Sequence, residues 1–306
     1  MPALLKQESQ GICNDSLLAK EGYGKGITMK LEKYAKKSGK AIAKDYLNIV
    51  KFSKAFRILL LISLFSASYF KGRGYYGMKT LIAYCVIVLC LNHLARKKQM
   101  KEYSSLPLIL TEMLDADKYL EVCLELSAKI KRTTDMAALN LANAYYWSGR
   151  YDEAKTILDN AVMADGSKAN VILTVQYDII YFNIGAKTGD MALCESLLAR
   201  MDEHIEANAY QPRFAEILRG FRQNMEMTLA LAKSEYEKCI TIESEMAPAP
   251  TPINYVSRQY CLSECYLNIG STNMAVNYLE NTLSKAGNLY IQKQAKEKLH
   301  KLKGEN

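Results

Sequence analysis

The sequence predicts an all-α fold: a solenoid of helical hairpins preceded by a hydrophobic two-helix hairpin that enters a membrane. Three observations predict it. Prolines are few, six in 306 residues, and proline is the residue that helix interiors exclude. Apolar residues recur at helical spacing through the last two thirds of the chain, in segments closed by glycine. Two runs nearer the amino terminus, residues 58–70 and 80–95, contain no Asp, Glu, Lys or Arg. A composition of 49% hydrophobic and 24% charged residues excludes a wholly disordered chain.

The formal charge of +8 is unevenly placed. Residues 1–98 carry 18 Lys+Arg against 5 Asp+Glu, and the remainder carries 22 against 27. A nucleic-acid surface would place its bases on the folded domain, yet that part of the chain is mildly acidic. The bases crowd around the apolar runs instead, which points to a lipid bilayer as partner.

Taken in order, residues 1–28 are expected to be a flexible tail, and translation from Met1 and from Met29 both fit it. Gly22, Gly24 and Gly26 invite comparison with a phosphate-binding loop. No strand pattern precedes them and no Lys-Ser/Thr pair follows. Residues 29–57 hold nine bases and only Glu32 and Asp45 as acids. Leu31, Tyr34, Ile42, Tyr46, Ile49 and Phe52 recur among them at helical spacing, so this segment reads as a basic amphipathic helix facing anionic headgroups or water.

Residues 58–95 form the expected transmembrane hairpin, with spans at about 55–70 and 80–95 and a connector at 71–79. Each sixteen-residue span would reach about 24 Å of a hydrocarbon core of about 30 Å. Arg57 and Lys79 would snorkel, with Tyr69, Tyr75 and Tyr76 as interfacial aromatics. Nine bases precede the first run, three lie in the connector, and Arg96, Lys97, Lys98 and Lys101 follow the second. This bias puts both termini and the following domain in the cytoplasm, at a bacterial-type inner or plasma membrane.

From residue 104 to 288 helical pairs follow one another. In residues 138–162, Leu141, Ala142 and Tyr145 share a face, Gly149 closes the first helix, and Ala154, Leu158 and Ala161 line the second. Residues 262–283 place Leu262, Tyr266, Gly270, Ala275 and Leu279 at the same offsets. These two segments resemble the tetratricopeptide repeat (TPR) family, with Ala142 at its usual glycine position and Leu158 at its aromatic one. The resemblance implies packing roles for Tyr145, Ala154 and Ala161, a TPR-like solenoid over 104–288, and a groove that receives protein or peptide partners. Weaker copies centre on Ala192 and Ala232, so the central alanines lie 38, 40 and 43 residues apart. That exceeds the nominal 34 of the family and also admits a related helical-hairpin solenoid. Three prolines between Ala247 and Pro252 demand an extended connection. Residues 289–306 suit a capping helix, which covers the last pair on one side and meets water on the other.

The groove-facing candidates are Asn140, Asn143, Tyr146, Trp147 and Tyr181. The two asparagines stand out because a helix interior gives asparagine little intrinsic support. Catalytic chemistry has thin support: the three histidines, 93, 204 and 300, are far apart in sequence, and no serine elbow, metalloprotease or kinase signature is present. No cofactor, metal site or enzymatic activity is expected, and the eight cysteines read as small hydrophobes. The leading functional expectation is therefore a membrane-tethered adaptor or interaction module on the cytoplasmic side. A soluble or peripheral regulatory subunit whose apolar hairpin is buried by a partner is the alternative, with a membrane enzyme a distant third.

Overall fold

A computed structural model describes residues 22–74, 77–129, 135–161 and 171–304. The regular structure among the described residues is helical, without strands. Most of the expected tail, residues 1–21, lies outside them. The helices are α1 (Gly22–Ala35), α2 (Gly39–Gly72), α3 (Met78–Tyr103), a single turn α4 (Leu108–Thr111), α5 (Ala116–Lys129), α6 (Asp135–Trp147), α7 (Tyr151–Asp159), α8 (Val171–Thr188), α9 (Met191–Ala207), α10 (Pro212–Ala232), α11 (Tyr236–Glu245), α12 (Pro252–Asn268), α13 (Thr272–Lys285) and α14 (Tyr290–Lys303).

Local chemistry fixes several of the ends. Ser38 Oγ accepts the Ala41 N–H at 3.3 Å and starts α2. Asp190 Oδ1 accepts the Leu193 N–H at 3.0 Å at the start of α9. Thr251 caps α12 ahead of Pro252, whose missing N–H costs nothing in a first turn. The proline-rich connection before it, residues 246–251, is non-helical, as proline geometry requires.

From α6 to α13 the helices pair, and one turn geometry recurs. Gly149, Gly189, Ser234 and Gly270 each adopt a positive φ between 62° and 83° just past the first helix of a pair. The next residue donates its N–H five residues back: Arg150 to Tyr145, Asp190 to Gly185, Glu235 to Ala230 and Ser271 to Tyr266, at 2.8–2.9 Å. These are the bonds by which a left-handed residue terminates a helix. Five residues after each turn residue stands a small side chain with no exposed surface: Ala154, Cys194, Cys239 and Ala275. In one pair the approach is close: a Cβ added at Gly185 would lie 3.2 Å from Cys194 Sγ.

This register corrects the spacing inferred from alanines alone. Ala192 is exposed and Ala232 is partly exposed, beside the turn residue Ser234. The small interhelical positions belong to Cys194 and Cys239, because the pairing depends on side-chain volume and distance from the turn rather than on alanine itself.

The amino-terminal helices are fused to this array. Gly39, at the start of α2, lies so close to α5 that an added Cβ would meet Lys118 O at 2.6 Å. Ile42, Ala43 and Tyr46 are buried on the same face. The Tyr34 hydroxyl and Ser105 Oγ are 2.8 Å apart, the Tyr46 and Tyr103 rings 5.5 Å, and Lys30 pairs with Glu102 at 3.6 Å. The basic segment therefore does not lie free on its apolar face: Tyr34, Ile42 and Tyr46 of that face are part of the core, while Phe52 is exposed.

The array also returns on itself. The Asn288 N–H donates to Leu114 O at 2.8 Å. Leu106, Leu110 and Tyr119 share one apolar core with Val256, Leu279, Leu289, Ile291 and Leu299. Tyr290 sits over the turn at Gly149, where a Cβ would fall 2.5 Å from its ring.

Two substitutions separate these effects. Gly149→Ala should destabilise the protein by about 2–3 kcal/mol, from left-handed backbone strain plus the clash with Tyr290, whereas Gly270→Ala should lose only the strain, about 1 kcal/mol. Thermal unfolding of the full chain in detergent measures both, and equal losses would remove the Tyr290 contact from the account.

Candidate functional site

The most unusual surface is the outer half of α2 and α3. The two helices pack side by side along a stripe with alternating three- and four-residue steps. Ser53, Phe56, Leu60, Ser63 and Ala67 of α2, and Leu81, Tyr84, Val88, Asn92 and Ala95 of α3, are its partly or fully buried positions. Ser53 Oγ and Asn92 Oδ1 are buried in this region without a partner among the described residues.

Most of the large apolar side chains away from this stripe are uncovered. Leu59, Leu61, Ile62 and Phe65 are 55–76% exposed on α2, as are Ile82, Ile87, Leu89 and Leu94 on α3. Soluble proteins rarely leave so large a contiguous apolar surface bare. Among the described residues one helix is long and apolar enough to cross a membrane: the stretch Met78–Thr111, which contains α3, has an 18-residue window of mean hydropathy 1.7.

An arginine stands at each end of the bare surface. Arg57 Nε donates to Ser53 O at 3.1 Å, folding the guanidinium back toward the start of α2. At the opposite end Arg73 donates to the Tyr69 hydroxyl at 3.0 Å and lies 5.4 Å from the ring centroid. Tyr75 and Tyr76, the other interfacial aromatics expected from sequence, lie outside the described residues.

The groove candidates meet different surroundings. Asn140 Nδ2 donates to the Tyr103 hydroxyl at 3.2 Å and lines a cavity of about 30 Å³ with Tyr119 and Cys123. That space suits a water molecule. Asn143 is half-buried on the same helix. Tyr146 lies between the rings of Trp147 and Tyr151, at 5.3 and 5.4 Å, and burial pushes its hydroxyl pKa up. Trp147 packs on the core shared by the first and last pairs. Tyr181 donates to Asp159 Oδ1 at 2.5 Å. The structure thus gathers Tyr146, Trp147, Tyr151 and Tyr290 near the returning carboxy-terminal helix and leaves Tyr181 on another pair. Sequence reasoning missed Tyr151 and Tyr290 because only the closure brings them together.

Beside them Lys187 and Lys298 each lie 5.9 Å from the Tyr260 ring centroid, and Lys298 pairs with Glu264. Burial pulls the Lys187 pKa down. Cys239 and Cys261 have their sulfurs 3.7 Å apart, and the contact with Cys239, with Cys265 and burial adding to it, pushes the Cys261 thiol up. Among the described residues no group of three or more His, Cys, Asp or Glu is placed to hold a metal ion.

A buried carboxylate ties α8 to α9. Asp178, 3% exposed, receives both Arg200 Nε, at 2.8 Å, and Arg200 Nη2, with His204 Nε2 3.6 Å away. Neighbouring Asp202 accepts from Arg222 at 2.5 Å. Asp202 and His204 thus both face neighbouring helices.

No family model, no curated protein and no solved structure matches the chain.

Burial pushes the Asp178 carboxyl pKa up against the opposing pull of Arg200. A carboxyl whose folded pKa is raised binds more protons folded than unfolded, so its contribution to stability falls as pH rises from the unfolded pKa through the folded one. Arg200→Met removes the pull and should cost about 2 kcal/mol at neutral pH, discounted for the half-exposed arginine. That loss should shrink as the pH is lowered toward the ordinary carboxylate range, where Asp178 takes up a proton. Unfolding midpoints of both proteins across that range test it; a pH-independent difference would contradict the linkage.

Proposed function

We propose that this protein is a membrane-tethered interaction module: a transmembrane hairpin holding a TPR-like array of helical pairs at the cytoplasmic face, where the array serves a protein or peptide partner as an adaptor rather than as a catalyst. The observation that carries the reading is the bare apolar surface of the paired α2 and α3, bounded by Arg57, folded back toward the start of α2, and by the Arg73–Tyr69 pair. A bilayer covers such a surface without requiring a second subunit, and Arg57, which reaches along the helix away from the apolar band, fits a short span.

The TPR-like reading is supported by burial at the matched positions. Ala142, Ala154, Leu158, Leu262, Ala275 and Leu279 all lie in the core, at 0–3% exposure. Tyr145 and Tyr266 precede their turns by the same four residues. The surplus length over the family repeat goes into longer helices, such as α10 with 21 residues. A partner of the kind TPR-like arrays receive would meet α6 at Asn143, since the remaining groove candidates are engaged within the fold.

Cytoplasmic orientation is supported by the base-rich flanks of the hairpin against the three charges of its connector. The test is alkaline carbonate extraction of the full chain from its native membrane, followed by protease treatment of sealed vesicles of known sidedness. The protein should stay in the pellet, and the helical pairs should be cleaved only when the cytoplasmic face is outside. Release into the supernatant would overturn the anchor and favour a peripheral subunit whose hairpin a partner covers; cleavage from the opposite face would overturn the orientation.

A further inference from the structure

We propose that the base of the hairpin is a binding surface for anionic phospholipid headgroups, built from Lys51 and Lys54 of α2 and Arg96, Lys97 and Lys98 of α3. This rests on the membrane reading above and adds to it the lipid class.

The Tyr46–Tyr103 ring contact sets the two helices in antiparallel register, so residues advancing along α2 meet residues receding along α3. Lys51 and Lys54 then lie level with the end of α3 that carries Arg96, Lys97 and Lys98. All five are exposed, and none forms an ion pair among the described residues. They stand where the apolar runs end, which is the level at which a bilayer changes from hydrocarbon to headgroup.

The charge has no answer within the chain. From Tyr46 to Lys101 the sequence contains no Asp or Glu. The acids that border this stretch are already engaged, Asp45 by Lys37 at 2.5 Å and Glu102 by Lys30 at 3.6 Å. Lys30, Lys33 and Lys37 are thus paired inside the fold, whereas these five, at the level where the apolar runs end, have no acid. Negative charge has to come from outside.

Phe52 identifies the source. It is 72% exposed between the two lysines and stacks on Phe56, ring centroids 6.2 Å apart. A bare aromatic among unpaired bases, adjoining an uncovered apolar band, fits the headgroup–acyl boundary of an anionic bilayer, which offers negative charge and an apolar interior together. An acidic protein or a nucleic acid would match the bases and leave Phe52 and the band exposed.

The experiment reconstitutes the full chain into vesicles of phosphatidylcholine containing roughly one-tenth phosphatidylglycerol, where each engaged base favours the anionic lipid by about fivefold at low salt. The protein is then re-extracted in mild detergent and the lipid retained on it is quantified. Phosphatidylglycerol should be enriched at least about fivefold over the vesicle ratio, and the enrichment should fall with added salt. Changing all five bases to Gln should return the retained lipid to the vesicle ratio, while a Lys51→Arg/Lys54→Arg variant keeps the enrichment; Arg96→Gln/Lys97→Gln/Lys98→Gln gives an intermediate loss if the fivefold variant fails to fold. Retention at the vesicle ratio by the wild type, or enrichment unchanged in the Gln variants, would overturn the proposal. Flotation with pure phosphatidylcholine vesicles separates the two ideas: a protein that inserts there without selecting the anionic lipid loses only the headgroup surface, and one that inserts nowhere loses the anchor as well.

Discussion

The contact on which the rest of the molecule depends is the seating of α2 against α5 at Gly39. The helices approach there to a distance that leaves no room for a β-carbon, and Ile42, Ala43 and Tyr46 extend the contact along α2. Because α2 then continues without interruption to Gly72, about 50 Å of helix, the apolar hairpin and the helical pairs are parts of one body. Ion pairs around the contact hold Lys30, Lys33 and Lys37. The same seating decides which bases stay available at the surface and which way the hairpin projects from the domain.

The helical pairs show a second constraint acting repeatedly. Each pair needs a residue in the left-handed region and, five positions on, a side chain small enough for the helices to meet. Where glycine and alanine fill these roles, at Gly149 with Ala154 and at Gly270 with Ala275, the pattern was legible in the sequence. At Ser234 with Cys239 neither residue advertises the role, and at Gly189 with Cys194 only the first does. A serine tolerates positive φ at a cost, and a buried cysteine is nearly as small as alanine. Searching for the distance between turn residue and small residue, instead of for alanines, would have found all four.

The hairpin was legible because its signal is local: two uncharged apolar runs with a short connector. The groove was less so. Asn140 was correctly placed on a helix, but its partner Tyr103 is 37 residues away, and the asparagine lines a small cavity. Tyr146 and Trp147 meet an aromatic cluster completed by Tyr290, which no periodicity along α6 reveals. The contact that brings the carboxy-terminal segment there, Asn288 to Leu114 and Asp115, joins residues 173 apart or more. Spacing rules describe neighbours along the chain and are silent about such returns. The unpaired bases were visible in the sequence only as a sum; which of them lack an acid became apparent once Asp45 and Glu102 were seen to be taken.

That return has a consequence for how such a chain can change over evolutionary time. An open stack of helical pairs lengthens or shortens by duplicating or deleting one unit, since each unit touches only its neighbours. Here the first and last pairs share a core, so an inserted or lost unit would separate Leu289 and Ile291 from Leu110 and Tyr119. Variation is thereby directed into the length of individual helices and turns, and the number of pairs is held constant by the seam where the two ends join.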